Sequence, residues 1–174
     1  LPVLGGIGVL GIHTLRVRRR TVSLLLAVQL LVVAAVFRME GEPFVFLTLT
    51  EGVRFVLRPD ALGRLFAELI CAVWFAVAFF AFEYMNHEGH RELFFGFYLL
   101  TLGALMGVCL AGNLVTLYLF YEMMTLLSVP LVLHIGTRKA FDAAYRYLGF
   151  SVTGAGLGLL GLFLLQGFCT TDLF

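Results

Sequence analysis

Charged side chains are scarce in this chain: aspartate, glutamate, lysine and arginine make up 13% of its 174 residues. Soluble domains carry about 25% charged and about 45–50% apolar residues, whereas 61% of this chain is hydrophobic. So few polar groups could not cover a surface that faces water, which excludes an ordinary soluble domain. The composition therefore predicts an integral membrane protein.

Cysteine pairs and catalytic motifs are missing as well. The three cysteines, Cys71, Cys109 and Cys169, include no C-x-x-C pair, and an odd count disfavours a disulfide framework. No G-x-S-x-G or H-E-x-x-H motif occurs, and His87 and His90 in one loop make a poor metal site. We therefore predict no cofactor, no metal ion, no nucleic-acid partner and no hydrolytic or redox centre in this chain. Whether it is a subunit of a redox-driven translocase stays open.

Long apolar runs dominate what is present. A membrane-spanning helix needs about 20 apolar residues, and we expect the first run to be the remaining part of a clipped helix. The runs predict an all-α multi-pass membrane protein with about six transmembrane helices, which are Leu1–Leu15, Thr21–Phe37, Leu62–Phe82, Leu93–Leu110, Leu114–Ile135 and Ala143–Phe168.

The stretch between the second and third runs has a different pattern. Phe44–Thr50 and Val53–Leu57 are rich in β-forming residues and flank Glu51-Gly52, which predicts a β-hairpin at the membrane surface. The chain thus divides into transmembrane helices one and two (1–37), an extracytoplasmic hairpin (38–61), helices three and four (62–110), and helices five and six (111–174).

Lysine and arginine in the connections predict the orientation. Eight of them, Arg16, Arg18, Arg19, Arg20, Arg91, Arg138, Lys139 and Arg146, fall on one side, against Arg38, Arg54, Arg58 and Arg64 on the other. The side with eight is predicted to be cytoplasmic, so the N-terminus is extracytoplasmic. We expect a location in the cell (inner) membrane.

Small residues predict where the helices approach one another. Gly103 and Gly107 form a G-x-x-x-G pair in the fourth run, and the sixth run contains Gly149, Gly154, Gly156, Gly158 and Gly161. Small residues let transmembrane backbones come close. We interpret both sets as packing within this one protein rather than as a dimer contact.

The fifth run contains a carboxylate near the middle of the membrane. Glu122 lies about nine residues, or about 13 Å, into its helix, whereas Glu68 and Glu83 lie nearer helix ends, from which a side chain can reach the headgroups. An ionised carboxylate at the bilayer centre costs about 2.5–3.5 kcal/mol on insertion scales. Such a residue indicates a functional site by default.

The neighbours of this glutamate form a polar helix face. At 100° per residue, an arc of about 120° holds Tyr118, Tyr121, Glu122, Thr125 and Ser128. Pro130 cannot donate to the Leu126 carbonyl, so the helix should bend or loosen there. His134 lies toward the predicted cytoplasmic end on another face, and is a weaker candidate for a proton relay.

These residues leave two functions open. In the first, Glu122 is a proton or cation relay that depends on a movable cationic partner. In the second, Glu122 is a protonated or hydrogen-bonded residue that joins helices in a structural subunit.

Three segments resemble one family. Phe55–Phe66 (FVLRPDALGRLF) is similar to the entry of the third helix in the antiporter-like subunits of respiratory complex I, Mrp-type Na⁺/H⁺ antiporters and membrane-bound hydrogenases. Glu83–Met85 followed by Phe94-Phe95 resembles their next connection. Ala111–Met124 (AGNLVTLYLFYEMM) resembles the family's A-x-N-L helix with a Trp-Glu pair, and here Tyr121 stands where tryptophan is usual.

The resemblance implies that Glu122 is the family's fifth-helix glutamate, which works with a lysine on the seventh helix. Lys139, the one lysine, lies in a loop and does not match it. Family members carry about fourteen helices as inverted repeats. We therefore expect a fragment, the first six helices of such a subunit, or a split subunit. Its expected partners are other membrane subunits, including the chain that carries the missing helices and lysine, and lipid.

Overall fold

The computed structural model describes residues 1–12, 14–36, 43–50, 53–86 and 91–168. The predicted fold class, six helices with a small hairpin between the second and third, is confirmed. The elements are α1 (Pro2–Leu10), α2 (Leu15–Val36), β1 (Phe44–Thr50), β2 (Val53–Leu57), α3 (Ala61–Tyr84), α4 (Arg91–Cys109), α5 (Leu114–Leu133) and α6 (Arg138–Phe168).

Four of the described helices, α3 to α6, are long and apolar enough to cross a membrane. The first helix is shorter than its apolar run, because it ends at Leu10 and Gly11 caps it. Nine residues extend about 14 Å, less than half of a hydrocarbon core of about 30 Å. The described part of α1 therefore covers only a fraction of the bilayer.

The arginine run lies within a helix and not in the predicted connection. α2 begins at Leu15, and Arg18 and Arg19 reach neighbouring elements. An Arg18 guanidinium nitrogen lies 3.4 Å from a Glu92 carboxylate oxygen, and Arg19 donates to the Phe82 carbonyl at 2.7 Å. These contacts bring the start of α2, the end of α3 and the start of α4 to one end of the bundle, here called the arginine end.

The hairpin occupies the opposite end of the bundle. β1 and β2 are antiparallel, with Phe44 paired to Leu57, and the predicted turn at Glu51-Gly52 lies outside the described residues. The outer edge of β2 bonds to the connection between α4 and α5, where Gly112 donates its N–H to the Val56 carbonyl at 2.8 Å. The hairpin is thereby fixed to the helix bundle at this hairpin end.

The core lies among α1 to α4. Its buried side chains include Val9, Val22, Leu26, Leu99 and Leu102, and α4 packs against α1, α3 and α5. Trp74 in α3 and Tyr98 in α4 exchange hydrogen bonds, since each side chain donates to the other residue's carbonyl, at 3.2 and 2.7 Å. α4 is therefore the central helix of the described bundle.

The glycines of α4 and α6 behave differently. A Cβ at Gly103 would strike Val3 of α1, and one at Gly107 would strike Phe120 of α5, as expected for close packing within one protein. In α6, a Cβ at Gly149, Gly154, Gly156 or Gly161 would meet no described atom within 4 Å. α6 packs against α5, and its remaining surface is largely exposed.

The turn between α5 and α6 explains why α6 starts five residues earlier than the predicted Ala143. Gly136 has a φ of 68°, a left-handed conformation that glycine adopts at little cost and that ends a helix. The Thr137 hydroxyl then accepts the Ala140 N–H at 3.2 Å, as an N-cap does. The helix can therefore begin at Arg138, within polar sequence that hydropathy alone assigns to a loop.

Candidate functional site

The position of α5 is fixed where it leaves the hairpin end. The Asn113 side chain accepts the Thr116 N–H at 2.9 Å, which caps the helix, and donates to the Arg54 carbonyl at 2.7 Å. The buried Thr116 hydroxyl accepts the Val56 N–H at 2.8 Å. From this anchor Glu122 is the ninth of the 20 residues of α5, near the middle of the helix.

Glu122 lines a groove of about 360 Å³ between α5 and α6. The α5 wall carries Tyr118 and Tyr121 beside the carboxylate, among leucines. The α6 wall opposite combines four small residues with two leucines: Gly154, Ala155, Gly158, Gly161, Leu162 and Leu165. Because the four small residues have little or no side chain, they leave space between the two helices.

The carboxylate itself is incompletely bonded. Its Oε1 atom is buried and has no hydrogen-bond partner among the described residues. The nearby Tyr118 hydroxyl donates instead to the Ala155 carbonyl of α6 at 3.1 Å. One carboxylate oxygen of Glu122 can therefore accept a further hydrogen bond.

The other residues of the predicted polar face make different bonds. The Thr125 hydroxyl donates to the Glu122 carbonyl at 2.8 Å, and the Ser128 hydroxyl donates to the Thr125 carbonyl at 2.7 Å. Ser128 also lies 2.9 Å from the Tyr147 hydroxyl of α6. The structure therefore groups Tyr118, Tyr121 and Glu122 in the groove, while Thr125 and Ser128 continue toward the arginine end and bond to backbone or to α6.

His134 lies away from the groove, at the C-terminal cap of α5. It is twelve residues from Glu122, about 18 Å along a helix. Its Nδ1 atom is 2.5 Å from the Leu131 carbonyl oxygen, its ring packs edge-on against Phe94 at 5.1 Å, and its buried Nε2 atom has no described partner. Pro130, between the two, lies inside the continuous helix.

No described lysine or arginine forms an ion pair with Glu122; the ion pair found among the described residues, Arg18–Glu92, is at the arginine end. Lys139 is exposed in the first turn of α6. Across the ranges that the structure describes, no cluster of three or more His, Cys, Asp or Glu could hold a metal ion. The loop histidines His87 and His90, and Cys169, lie outside those ranges.

Sequence reasoning missed Asn113, Thr116 and Tyr147. An asparagine directly before an apolar run is a typical helix N-cap, so Asn113 could have been found from its position. Thr116 and Tyr147 could not, because their partners Val56 and Ser128 belong to other elements and helical periodicity describes only one helix at a time.

Comparison with known proteins finds relatives that are named as subunits of cation/H⁺ antiporters. The chain is 34% identical over 115 residues to the probable A/B subunit of a K⁺/H⁺ antiporter of Rhizobium meliloti (strain 1021), covering 66% of this chain and 12% of that protein. It is 36% identical over 111 residues to the A1 subunit of a Na⁺/H⁺ antiporter of Staphylococcus aureus (strain bovine RF122 / ET3-1), covering 63% and 14%. It is also 36% identical over 115 residues to the corresponding A1 protein of Staphylococcus haemolyticus (strain JCSC1435), covering 66% and 14%. The chain thus spans about one seventh of these relatives' length.

A solved structure has the same fold. A chain of the membrane-bound sulfane sulfur reductase, an archaeal respiratory membrane complex, superposes with a TM-score of 0.80 at 21% identity, covering 99% of this chain and 36% of that chain. No protein-family model matches.

Proposed function

This chain is homologous to the antiporter-like subunits of membrane complexes, and we propose that it contributes the first helices of a subunit that translocates ions, with Glu122 as an intramembrane relay carboxylate. The observation that carries the proposal is the Oε1 atom of Glu122, which is buried and has no hydrogen-bond partner among the described residues, on a residue that lines an open groove. A carboxylate that only joined two helices would use its oxygens on the facing helix. Here the facing wall consists of glycines, an alanine and two leucines, whose side chains have no hydrogen-bonding group.

The relay follows from the cost of burying charge. In the absence of a cation, an uncharged carboxyl avoids the insertion penalty of an ionised one, about 2.5–3.5 kcal/mol. A cation brought toward the groove stabilises the ionised form, so the proton leaves; when the cation withdraws, Glu122 takes up a proton again. Tyr118 and Tyr121 border the groove and supply hydroxyl groups to a proton or water there.

The movable cation comes from outside the described chain. The relatives are several times longer than this chain, and we propose that the cation belongs to the remaining helices of such a subunit or to a partner subunit. Other membrane subunits, and the energy source, belong to the same assembly. Moving one charge against 100 mV costs about 2.3 kcal/mol, which a redox reaction or an opposing ion gradient must supply.

We propose that the ion carried by Glu122 is a proton and not a metal cation. The names of the relatives share H⁺ and differ in the second ion, K⁺ or Na⁺. A single carboxylate needs no further ligand to carry a proton. Of the remaining candidates, Thr125 and Ser128 adjust the backbone around Glu122, and His134 extends the proton path toward the arginine end. We place the arginine end at the cytoplasmic face of the cell (inner) membrane.

The experiment compares Glu122→Gln with the wild type in the complete assembly, reconstituted in sealed vesicles. Glutamine keeps the size and polarity of the side chain but cannot exchange a proton. Glu68→Gln is the matched control, because Glu68 is an exposed glutamate of α3 that does not line the groove. We expect Glu122→Gln to lower ion transport by about a hundredfold or more, the lower end of what a positioned proton-transfer group contributes, with normal assembly and with Glu68→Gln unchanged.

The alternative is a structural subunit. The exposed surface of α6 favours this alternative, because a structural subunit would bind other membrane segments over that surface. In that case Glu122 bonds across a subunit interface. Glu122→Gln would then reduce the yield of intact complex, while the transport rate per intact complex stayed at the wild-type value.

A further inference from the structure

A second groove lies on the outer surface of the bundle, between α2 and α3. It encloses about 660 Å³ and shares no residue with the Glu122 groove. Its mouth is at the arginine end, where Arg19, Arg20 and Ser23 line it; its inner part is lined by Ala27, Phe75 and other apolar side chains. Two arginines therefore border one end of the groove, while its lining is almost entirely apolar and, in its inner part, aromatic.

The basic end is held in place by the protein. Arg19 donates to the Phe82 carbonyl at 2.7 Å and to the Asn86 side-chain oxygen, and its guanidinium lies 5.8 Å from the centre of the Phe82 ring. Arg20, the next residue, is exposed and has no hydrogen bond or ion pair to a described residue. The mouth thus combines one fixed positive charge with one that lacks a counter-ion in the described chain.

The apolar part continues from this mouth into the membrane. Phe82, Phe79 and Phe75 follow one another along α3 over seven residues, about 10 Å. Leu24 and Ala27 line the facing side of α2, and Leu24 and Phe79 are 64% and 56% exposed. Because the arginine run begins α2 directly before its apolar segment, the mouth is at headgroup level and the aromatic floor at the level of the acyl chains.

We propose that this groove binds one anionic phospholipid, with its phosphate at Arg19 and Arg20 and one acyl chain along Leu24, Ala27 and the phenylalanines of α3. Charge complementarity selects this occupant. Basic pockets between transmembrane helices on the cytoplasmic side bind anionic headgroups. The groove resembles a phospholipid in its arrangement, since it has charged groups at one end and apolar groups along the rest. A protein segment in the same place would have to bring a carboxylate to Arg20 at the membrane surface and an apolar face below it.

The test uses the complete assembly, purified in a neutral detergent and stripped of lipid. Phosphatidylglycerol or phosphatidylcholine with a photoreactive acyl chain is added, and native mass spectrometry counts the lipid that stays bound. Three variants are compared with the wild type. Arg20→Gln removes the charge that has no counter-ion among the described residues. Ala27→Trp fills the apolar part without changing charge, and Arg138→Gln removes an exposed arginine from the same end of the bundle but outside the groove.

The expected result is that the wild type retains phosphatidylglycerol in preference to phosphatidylcholine and crosslinks it at the peptide that carries Phe75 and Phe79. Arg20→Gln should bind it about fivefold more weakly, the factor for one basic residue near an anionic surface. Ala27→Trp should also lose the lipid, and Arg138→Gln should not.

Three outcomes would overturn the proposal. Equal losses in Arg20→Gln and Arg138→Gln would indicate a general attraction of the basic surface. Retention unchanged in both Arg20→Gln and Ala27→Trp would show that bound lipid lies elsewhere. A cysteine at position 24 (Leu24→Cys) that crosslinks mainly to another polypeptide would show that protein occupies the groove.

Discussion

Hydrogen bonds made by single polar side chains attach the hairpin to the helices. The Thr116 side chain is fully buried, and its hydroxyl is the acceptor for the Val56 N–H of β2. A buried N–H that loses its acceptor costs about 1–3 kcal/mol, whereas an exposed hydroxyl is replaceable at little cost. The importance of a threonine in this chain therefore depends on its partner and not on its place in an apolar run.

Thr116→Val tests this point. Valine has nearly the same shape but no acceptor, so we expect the free energy of unfolding to fall by about 1–3 kcal/mol, measured by denaturant titration of the purified full-length protein in detergent micelles. Thr116→Ser, which keeps the hydroxyl, should stay close to the wild type. Thr153→Val is the matched control, because Thr153 is exposed on α6 and donates to the Gly149 carbonyl of its own helix. Equal losses in the two valine variants would contradict the role given to Thr116.

The candidate site illustrates which residues a sequence can bring together. Helical periodicity places Tyr118, Tyr121 and Glu122 on one face of α5, and in the structure these three line one groove. The opposite wall could not be predicted, because the sequence of α6 does not say which of its faces meets α5. Periodicity also groups Thr125 and Ser128 with them, although their hydroxyls bond to backbone carbonyls. The role of Glu122 as a relay stays a prediction.

Among the helices and strands, hydropathy predicted the long apolar elements best. The two hairpin strands have the predicted bounds, and α3, α4 and α5 each differ from prediction by no more than two residues at either end. The larger errors are the end of α1, which stops at Leu10 instead of Leu15, and two helix starts that lie within polar sequence, at the arginines of α2 and at the start of α6. Hydropathy reports which residues prefer lipid, whereas these helix starts depend on ion pairs, caps and carbonyl contacts with distant parts of the chain.

The first turn of α3 packs closely against the end of α4, and this contact fixes the position of the whole α3 helix. Gly63 lies in the first turn of α3, and a Cβ there would overlap the Cys109 carbonyl oxygen. Backbone atoms cannot move aside as a flexible side chain can, so Gly63→Ala must shift α3 away from α4. We expect a loss of about 1–3 kcal/mol, the usual cost of overpacking, visible as a lower unfolding midpoint of the full-length protein.

Gly149→Ala is the control for that helix junction. A Cβ at Gly149 would meet no described atom, and alanine favours a helix over glycine by about 1 kcal/mol. Unchanged or slightly raised stability in Gly149→Ala, beside a clear loss in Gly63→Ala, is the expected pair of results. If Gly63→Ala were as stable as the wild type, α3 and α4 would not be in the close contact described.

At the scale of the whole molecule, the two ends of the bundle differ in charge and in structure. The arginine end carries the starts of α2, α4 and α6, and the hairpin end carries the N-terminus of α1, because Gly103, late in α4, packs against Val3. The hairpin therefore shares its side of the membrane with the N-terminus. The positive-inside rule then predicts that both are extracytoplasmic, since eight of the described lysines and arginines belong to the arginine end, against Arg54, Arg58 and Arg64 at the hairpin end.

Cysteine labelling in intact cells measures this orientation. In full-length protein whose native cysteines are replaced by alanine, Phe44→Cys places a thiol on β1, where the native side chain is 63% exposed, and Lys139→Cys places one at the exposed start of α6. A membrane-impermeant maleimide should label Phe44→Cys in intact cells and Lys139→Cys only after permeabilisation. The basic residues of the arginine end resist transfer across the membrane, which is why we expect this arrangement. The reverse pattern would place the hairpin in the cytoplasm, and the basic mouth of the groove between α2 and α3 would then face the outer leaflet.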